Sequence, residues 1–122
     1  MTDKGEKMIK SNCSFDYDIS DDRLLLTLWG EVDHHSAVTL RRDVDELICR
    51  YRPSRLVLDL AGVGFMDSSG LGFIMGRYSL LRELGGSMVI SDPSPATQRI
   101  LQLAGIQRII PIEMEKEKNK NE

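Results

Sequence analysis

The chain has 122 residues, 41% of them hydrophobic, and a formal net charge of −3, which predicts one globular domain with a core large enough to fold without disulfides. Basic residues are scattered among acidic ones, so the charge pattern argues against direct nucleic-acid binding. No run of about 18 apolar residues is present, and residues 1–7 lack the apolar segment of a signal peptide, so we expect a cytoplasmic protein that does not insert into a membrane.

The first half of the chain contains the patterns of two strands and a helix. Residues 14–19 alternate apolar with polar side chains and residues 23–29 are almost continuously apolar, which predicts a hairpin. From Asp33 the apolar spacing becomes helical, and the helix ends before Pro53. The expected core face of this helix consists of Ala37, Leu40, Val44, Leu47, Ile48 and Tyr51, and the expected solvent face of Arg41, Arg42, Asp45 and Glu46.

The middle of the chain alternates strands with a second helix. Residues 56–60 form a short apolar run that is typical of a central parallel strand, and residues 87–91 form another. A helix is predicted to begin near Ser68 and to end at the glycine pair 85–86.

The last part of the chain adds a third helix and an edge strand. Ser94 as N-cap and Pro95 at the first helical position predict a helix of about ten residues, which ends at Gly105. Residues 109–112 are apolar and contain a proline, as an edge strand tolerates. Strands separated by helices predict an α/β fold with a mixed sheet of four to five strands, covered by helices.

The two ends of the chain are more polar than its middle. Residues 1–9 are expected to form a flexible polar leader, and residues 113–122 are rich in Lys, Glu and Asn and are expected to be disordered. The folded domain is therefore predicted to span residues 10–112.

A functional site is most strongly indicated in residues 65–72, which join the central strand to the second helix. Their sequence is Phe-Met-Asp-Ser-Ser-Gly-Leu-Gly. Two serines lie where helical N–H groups lack partners, although capping needs only one of them. Gly70, Gly72 and Gly76 fall in the first turns, where each glycine costs about 1 kcal/mol relative to alanine. Close approach of either the sheet or a partner is expected to compensate this cost.

The second helix is predicted to have a core face and a glycine face. The core face is expected to contain Leu71, Ile74, Met75, Tyr78 and Leu81, which leaves Gly72 and Gly76 as a flat docking surface. A phosphate on Ser68 would add a charge of roughly −1.5 to −2 at the positive end of the helix dipole, where free N–H groups are expected to hold it. We therefore expect the phosphorylated protein to keep its fold and to repel a partner. The simpler alternative is that Asp67, Ser68 and Ser69 only cap the helix.

Neither a metal nor a disulfide is indicated. Cys13 and Cys49 lie far apart and form no Cys-x-x-Cys pair, so both are expected to be reduced. Asp33, His34 and His35 are adjacent, and consecutive helical side chains point about 100 degrees apart instead of converging on an ion. We expect no metal and no cofactor.

Catalysis and nucleotide binding are the other classes to consider. Ser68, His34 and Asp67 have the residue types of a hydrolase triad, but the serine lacks a Gly-x-Ser-x-Gly elbow, so we expect no enzyme activity. Glycines at a helix start can receive phosphate, yet the sequence lacks the Gly-x-x-x-x-Gly-Lys-Ser/Thr pattern of a nucleotide-binding loop. A nucleotide-binding module remains the less favoured alternative.

Three segments together resemble the STAS-domain anti-sigma factor antagonists, in particular their sporulation branch. They are Gly-Glu-Val-Asp-His-His (30–35), the 65–72 segment and Gly-Arg-Tyr (76–78), and the resemblance covers about residues 10–112. It implies that the unphosphorylated protein binds an anti-sigma factor that is also a serine kinase, in its ATP- or ADP-bound form, and so releases a sporulation sigma factor. Phosphorylation ends this binding, and a PP2C-type phosphatase reverses it.

The resemblance also assigns roles to individual residues. Ser68 matches the phosphoacceptor, and the partner contacts are expected to be made by Asp33, Ser68, Ser69, Gly70, Leu71, Gly72 and Gly76. Asp33 would meet a basic residue of the kinase, and the same aspartate also suits the N-cap of the first helix. A stress or other signalling antagonist with a different kinase remains an alternative, since the docking surface is shared within the family. The free protein is expected to be a monomer.

Overall fold

The computed structural model describes residues 13–115 and, for the backbone alone, residues 2–4 and 8–10. Its strands are β1 (Thr2–Lys4), β2 (Met8–Lys10), β3 (Cys13–Ser20), β4 (Arg23–Val32), β5 (Arg55–Met66), β6 (Ser87–Ser91) and β7 (Ile112–Glu113). Its α-helices are α1 (His34–Tyr51), α2 (Ser68–Glu83) and α3 (Pro95–Leu103), and a 3-10 turn (Ile106–Arg108) follows α3. None of the helices in these residues combines the length and the apolar character needed to cross a bilayer.

The strands form one mixed sheet with the order β3-β4-β5-β6-β7. β3 and β4 are an antiparallel hairpin, whereas β4, β5, β6 and β7 run parallel to one another. Each parallel step is bridged by a helix, and right-handed connections in a sequential order place successive helices on the same face of the sheet. The core agrees with this, because Leu40 of α1, Ile74 of α2 and Leu101 of α3 belong to a single buried cluster. The predicted α/β class and mixed sheet are confirmed.

The outer edge of β3 carries the two strands of the N-terminal segment. β1 and β2 both pair with β3 in antiparallel register. Sequence had indicated only a polar leader at residues 1–9, because three-residue strands are too short to show a period. Of the predicted tail, Glu113 lies in β7, whereas residues 116–122 lie outside the described residues. The domain limits at residues 10 and 112 stay predictions.

Two strands differ in length from their sequence patterns. β5 continues from Leu60 to Met66, and two register shifts in its pairing with β4 accommodate the irregular stretch. β7 contains two residues instead of four, because the N–H groups of Ile109 and Ile110 both donate to Ile106 O at 2.9 Å and hold that segment in a turn.

The face that α2 presents to the core also differs from the predicted one. The buried residues of α2 are Gly70, Phe73, Ile74, Arg77 and Leu81. Leu71, Met75 and Tyr78, which periodicity had placed in the core, are only partly buried. Apolar residues lie around so much of the circumference of α2 that the hydrophobic pattern does not define which face turns to the core. Packing against the neighbouring helix sets this face instead.

Candidate functional site

The starts of α1 and α2 lie side by side at one edge of the sheet. Val32 and Met66 are register partners at the carboxyl ends of β4 and β5, and the next residue along each strand is an N-cap aspartate. The Asp67 N–H donates to Val32 O at 3.3 Å, which joins the two strand ends. Parallel strands end at the same edge, so this topology brings Asp33 close to the segment that contains Ser68.

Asp33 caps α1 through a reciprocal pair of hydrogen bonds with Ser36. The Ser36 N–H donates to Asp33 Oδ1 at 2.9 Å, and the Asp33 N–H donates to Ser36 Oγ at 3.1 Å. The predicted N-cap role of Asp33 is confirmed. This box fixes the backbone at the strand-to-helix turn. The Asp33 side chain is half-buried, so part of it faces solvent.

Asp67 caps α2, and Ser68 is the first helical residue after it. Asp67 Oδ1 accepts hydrogen bonds from Ser69 N at 2.8 Å and from Gly70 N at 3.4 Å. Ser68 is exposed and Ser69 is half-buried. The helix therefore presents the hydroxyl of Ser68 to solvent, within one residue of a carboxylate.

This cap corrects one expectation about a phosphate at Ser68. Free N–H groups were expected to hold it, but the Asp67 carboxylate already accepts from two of these groups. A phosphate on Ser68 would lie beside the negative charge of Asp67, which disfavours binding of the phosphate to the N–H groups at the helix end.

The three glycines of α2 have two different explanations. A Cβ on Gly70 would lie 2.3 Å from Met66 Cγ and 3.2 Å from Val32 O, so close packing against the sheet requires glycine there. A Cβ on Gly72 or on Gly76 would meet nothing within 4 Å. Packing within the described residues therefore accounts for Gly70, whereas the glycines at 72 and 76 leave a low, open helix surface.

Beside this surface lies a cleft between α1 and α2, with a volume of about 310 Å³. Its α1 wall is formed by His34, Ala37, Val38 and Arg41, and its α2 wall by Ser69, Gly72 and Phe73. Both sets follow helical spacing of three and four residues, so each is one stripe along its helix. The cleft begins at the helix N-termini, next to Ser68.

An ion pair joins the helices one turn beyond the cleft. Asp45 follows Arg41 by four residues, Arg77 follows Phe73 by four, and Arg77 Nε lies 2.7 Å from Asp45 Oδ1. The Arg77 side chain is 7% exposed, and its guanidinium lies 5.3 Å from the centre of the Phe73 ring. Burial lowers the pKa of Arg77, Asp45 counteracts this effect, and the nearby charge of Arg41 lowers it further. At Arg77 the effect of the Asp45 charge is larger than the opposing effect of Arg41.

Sequence reasoning missed the cleft and the ion pair. Asp45 and Arg41 had both been assigned to the solvent face of α1, whereas Asp45 reaches Arg77 and Arg41 lines the cleft. The available signal was the repeated spacing of 34, 38, 41 and 45 on one helix and of 69, 73 and 77 on the other. Only the packing of α1 on α2 shows that these stripes face each other.

The site does not resemble a hydrolytic centre. The Asp67 carboxylate is engaged by the backbone of α2, and so it caps a helix instead of orienting a histidine. Among the residues described, no group of three or more His, Cys, Asp or Glu side chains could hold a metal. This surface, with the exposed hydroxyl of Ser68 on it, is suited to recognition by a partner.

Comparisons with known proteins agree with this geometry. The STAS domain family matches residues 14–119. The anti-sigma F factor antagonist of Paenibacillus polymyxa is 44% identical over 89 residues, which cover 73% of this chain and 76% of that protein. The anti-sigma-B factor antagonist of Bacillus subtilis is 28% identical over 106 residues, 87% of this chain and 95% of the relative.

Solved structures give the same result. The unphosphorylated form of the anti-sigma factor antagonist SpoIIAA superposes with a TM-score of 0.72 at 25% identity, and covers 88% of this chain and 94% of its own. The phosphorylated form of the Bacillus cell fate determinant SpoIIAA superposes with a TM-score of 0.66, at 25% identity and over 88% and 97% of the two chains. The chain belongs to the STAS-domain family, among its anti-sigma factor antagonists.

Proposed function

We propose that this antagonist works by partner switching controlled at Ser68. In the unphosphorylated state it binds an anti-sigma factor that is also a serine kinase and thereby releases a sporulation sigma factor. The kinase phosphorylates Ser68, the complex dissociates, and a PP2C-type phosphatase restores the hydroxyl. The protein acts in the cytoplasm, as a monomer when free, and without catalytic activity of its own.

The exposed position of Ser68 is the observation that carries this proposal. The serine is the first residue of α2, its side chain faces solvent, and its neighbour Asp67 already caps the helix. Neither the cap nor the core therefore needs Ser68. The two SpoIIAA structures, one of the unphosphorylated and one of the phosphorylated form, support a phosphorylation switch in a related protein.

The docking surface is proposed to surround this serine and to continue along α2. It consists of Asp33, Ser68, Ser69, Leu71, Gly72 and Gly76. Gly70, which sequence had included, is buried against Met66 and Val32 and is left out of this surface. Gly72 and Gly76 support the proposal because each costs about 1 kcal/mol in a helix and neither is needed for packing inside the described chain.

A phosphate would disrupt such a complex through charge and bulk. It adds roughly two negative charges beside the Asp67 carboxylate, at a surface that would be desolvated on binding. Truncating or mispairing a buried charge at an interface typically costs about 2–5 kcal/mol. A change of that size is enough to exchange one partner for another.

Two alternatives differ in their support. The likeness to the anti-sigma-B factor antagonist supports a stress-response partner. This support is weaker than that for the sporulation role, because the identity to the anti-sigma-B antagonist is 28% and that to the anti-sigma F antagonist is 44%. A nucleotide-binding role is disfavoured because Asp67 occupies N–H groups that would receive a phosphate.

The proposal is tested with the anti-sigma kinase from the same genome. The protein is incubated with ATP and this kinase, and intact-mass spectrometry with fragment mapping follows the reaction in the wild type, Ser68→Ala and the matched control Ser69→Ala. We expect one phosphate on Ser68 in the wild type and in Ser69→Ala, and none in Ser68→Ala. No modification by a kinase that is active on another antagonist would refute the switch.

A second step separates partner identity from phosphorylation. Calorimetric binding of the unmodified and the phosphorylated protein to the sporulation-type kinase and to a stress-type kinase is compared. Tighter binding to the first, lost on phosphorylation, supports the sporulation role. The reverse preference would assign the chain to the stress pathway.

A further inference from the structure

The cleft between α1 and α2 is continuous with the proposed docking surface. Ser69 and Gly72 belong to that surface and also form part of the cleft wall. The cleft begins at the N-terminal turns of both helices, where His34 and Ser69 line it, and the Arg77–Asp45 pair lies one turn beyond Arg41 and Phe73. A partner seated over Ser68 would therefore reach the N-terminal end of the cleft.

The cleft walls combine an apolar lining with positive charge. Ala37 and Phe73 line it, and Val38 is 50% exposed although it is a large aliphatic residue. Arg41 and His34 also line the cleft, and none of its lining residues is acidic. The acid nearest along the α1 stripe, Asp45, is engaged by Arg77. The cleft thus has a guanidinium group at its wall and no carboxylate of its own to pair with it.

We propose that this cleft receives an acidic side chain of the anti-sigma partner, whose carboxylate pairs with Arg41 while its methylene groups pack on Val38 and Phe73. The inference rests on the proposed function and adds a specificity contact to it. A glutamate suits the site because its carboxylate matches the fork of an arginine and its stem matches the apolar walls. The volume of about 310 Å³ accommodates such a side chain.

This contact selects among partners. Pairing with Arg41 increases the affinity for a kinase that has an acidic residue at this position. A kinase with a basic residue there is repelled, and one with a large residue is sterically excluded. Because Gly72 forms the opposite wall, any side chain at position 72 would narrow the cleft.

Arg41→Glu tests the inference, with Arg42→Glu as matched control. Both arginines are exposed and adjacent on α1, but Arg42 pairs with Asp43 at 3.6 Å and does not line the cleft. Calorimetric affinity for the sporulation-type kinase is measured at low and at high salt. We expect Arg41→Glu to weaken binding about tenfold or more at low salt and less at high salt, and Arg42→Glu to change it less than about threefold.

A second variant pair tests the cleft shape independently of charge. Gly72→Leu fills the cleft and is compared with Gly76→Leu, which lies one turn further along α2 and outside the cleft lining. We expect a larger loss of affinity from Gly72→Leu. Thermal unfolding of every variant verifies that the fold is retained.

The outcomes separate the two proposals. Wild-type binding with equal losses from Arg41→Glu and Arg42→Glu overturns the cleft inference and leaves the proposed function intact. Absence of wild-type binding to any anti-sigma kinase overturns both. The cleft inference is supported if Arg41→Glu loses about tenfold more affinity than Arg42→Glu and Gly72→Leu loses more affinity than Gly76→Leu.

Discussion

Arg77 of α2 and Asp45 of α1 form an ion pair of 2.7 Å that links the two helices of the functional face. The arginine is almost fully buried and packs on Phe73, whereas 36% of the Asp45 side chain is exposed. A buried guanidinium without its carboxylate would be an uncompensated charge, so this contact favours the observed packing of α1 on α2. The cleft lies between the same two helices.

Removal of the Asp45 charge is expected to destabilise the fold. Asp45→Asn should lower the free energy of unfolding by about 1–3 kcal/mol, less than for a fully buried pair because Asp45 is partly solvated. Urea unfolding measures the change. The adjacent Glu46→Gln is the matched control, since Glu46 is exposed and pairs with exposed Arg50 at 4.0 Å, and it should cost less than about 0.5 kcal/mol. Equal changes in the free energy of unfolding for the two variants would show that the Arg77–Asp45 pair stabilises the fold no more than a surface pair does.

Alanine at the glycines of α2 should have opposite effects on stability. Gly70→Ala places a methyl group against Met66 and Val32 O and should destabilise the protein by about 1–3 kcal/mol. Gly76→Ala meets open space and should stabilise it by up to about 1 kcal/mol through helix propensity. Thermal unfolding of both variants provides the comparison. A stabilising Gly70→Ala would contradict the close approach of α2 to the strand ends.

Phosphorylation of Ser68 should lower stability through repulsion by Asp67. We expect phosphoserine at position 68 to lower the unfolding temperature of the wild type, and to lower it less in Asp67→Asn, where a neutral side chain retains the cap. Calorimetry of the four forms isolates the coupling between the two groups. The unphosphorylated Asp67→Asn protein is the control and should lose less than about 1 kcal/mol. An equal shift in both backgrounds would exclude repulsion by Asp67.

The two cysteines should differ strongly in reactivity. Burial raises the pKa of the Cys13 thiol from 9.0 to about 11, a hydrogen bond from the Trp29 backbone opposes this shift, and the charge of Asp33 adds to it. At pH 8 a thiol with that pKa is only about 0.1% thiolate, the reactive form. Iodoacetamide at pH 8 should therefore modify exposed Cys49 and leave Cys13 unmodified until the protein is unfolded. Rapid modification of Cys13 in the folded protein would contradict its burial.

The elements with strong local signals could be predicted from the sequence. β6 has the predicted limits, Asp33 and Ser94 are the caps of α1 and α3, and α2 begins at Ser68. Capping, proline and glycine preferences act within a few residues, so a single sequence contains them. The longer β5, the two-residue β7 and the strands β1 and β2 depend on pairing partners that are distant in the chain, and local pattern did not define them.

The same division holds for the functional site. Local pattern is enough to locate the segment that carries Ser68, because Asp67, Ser68 and the glycines that follow lie close together in the chain. Tertiary packing sets which glycine is buried and which two are open, since this depends on the distance of α2 from the ends of β4 and β5. It also decided that Arg41 faces a cleft and that Arg77 reaches Asp45, because these contacts join helices whose relative rotation is set by side-chain packing and not by the period of either helix.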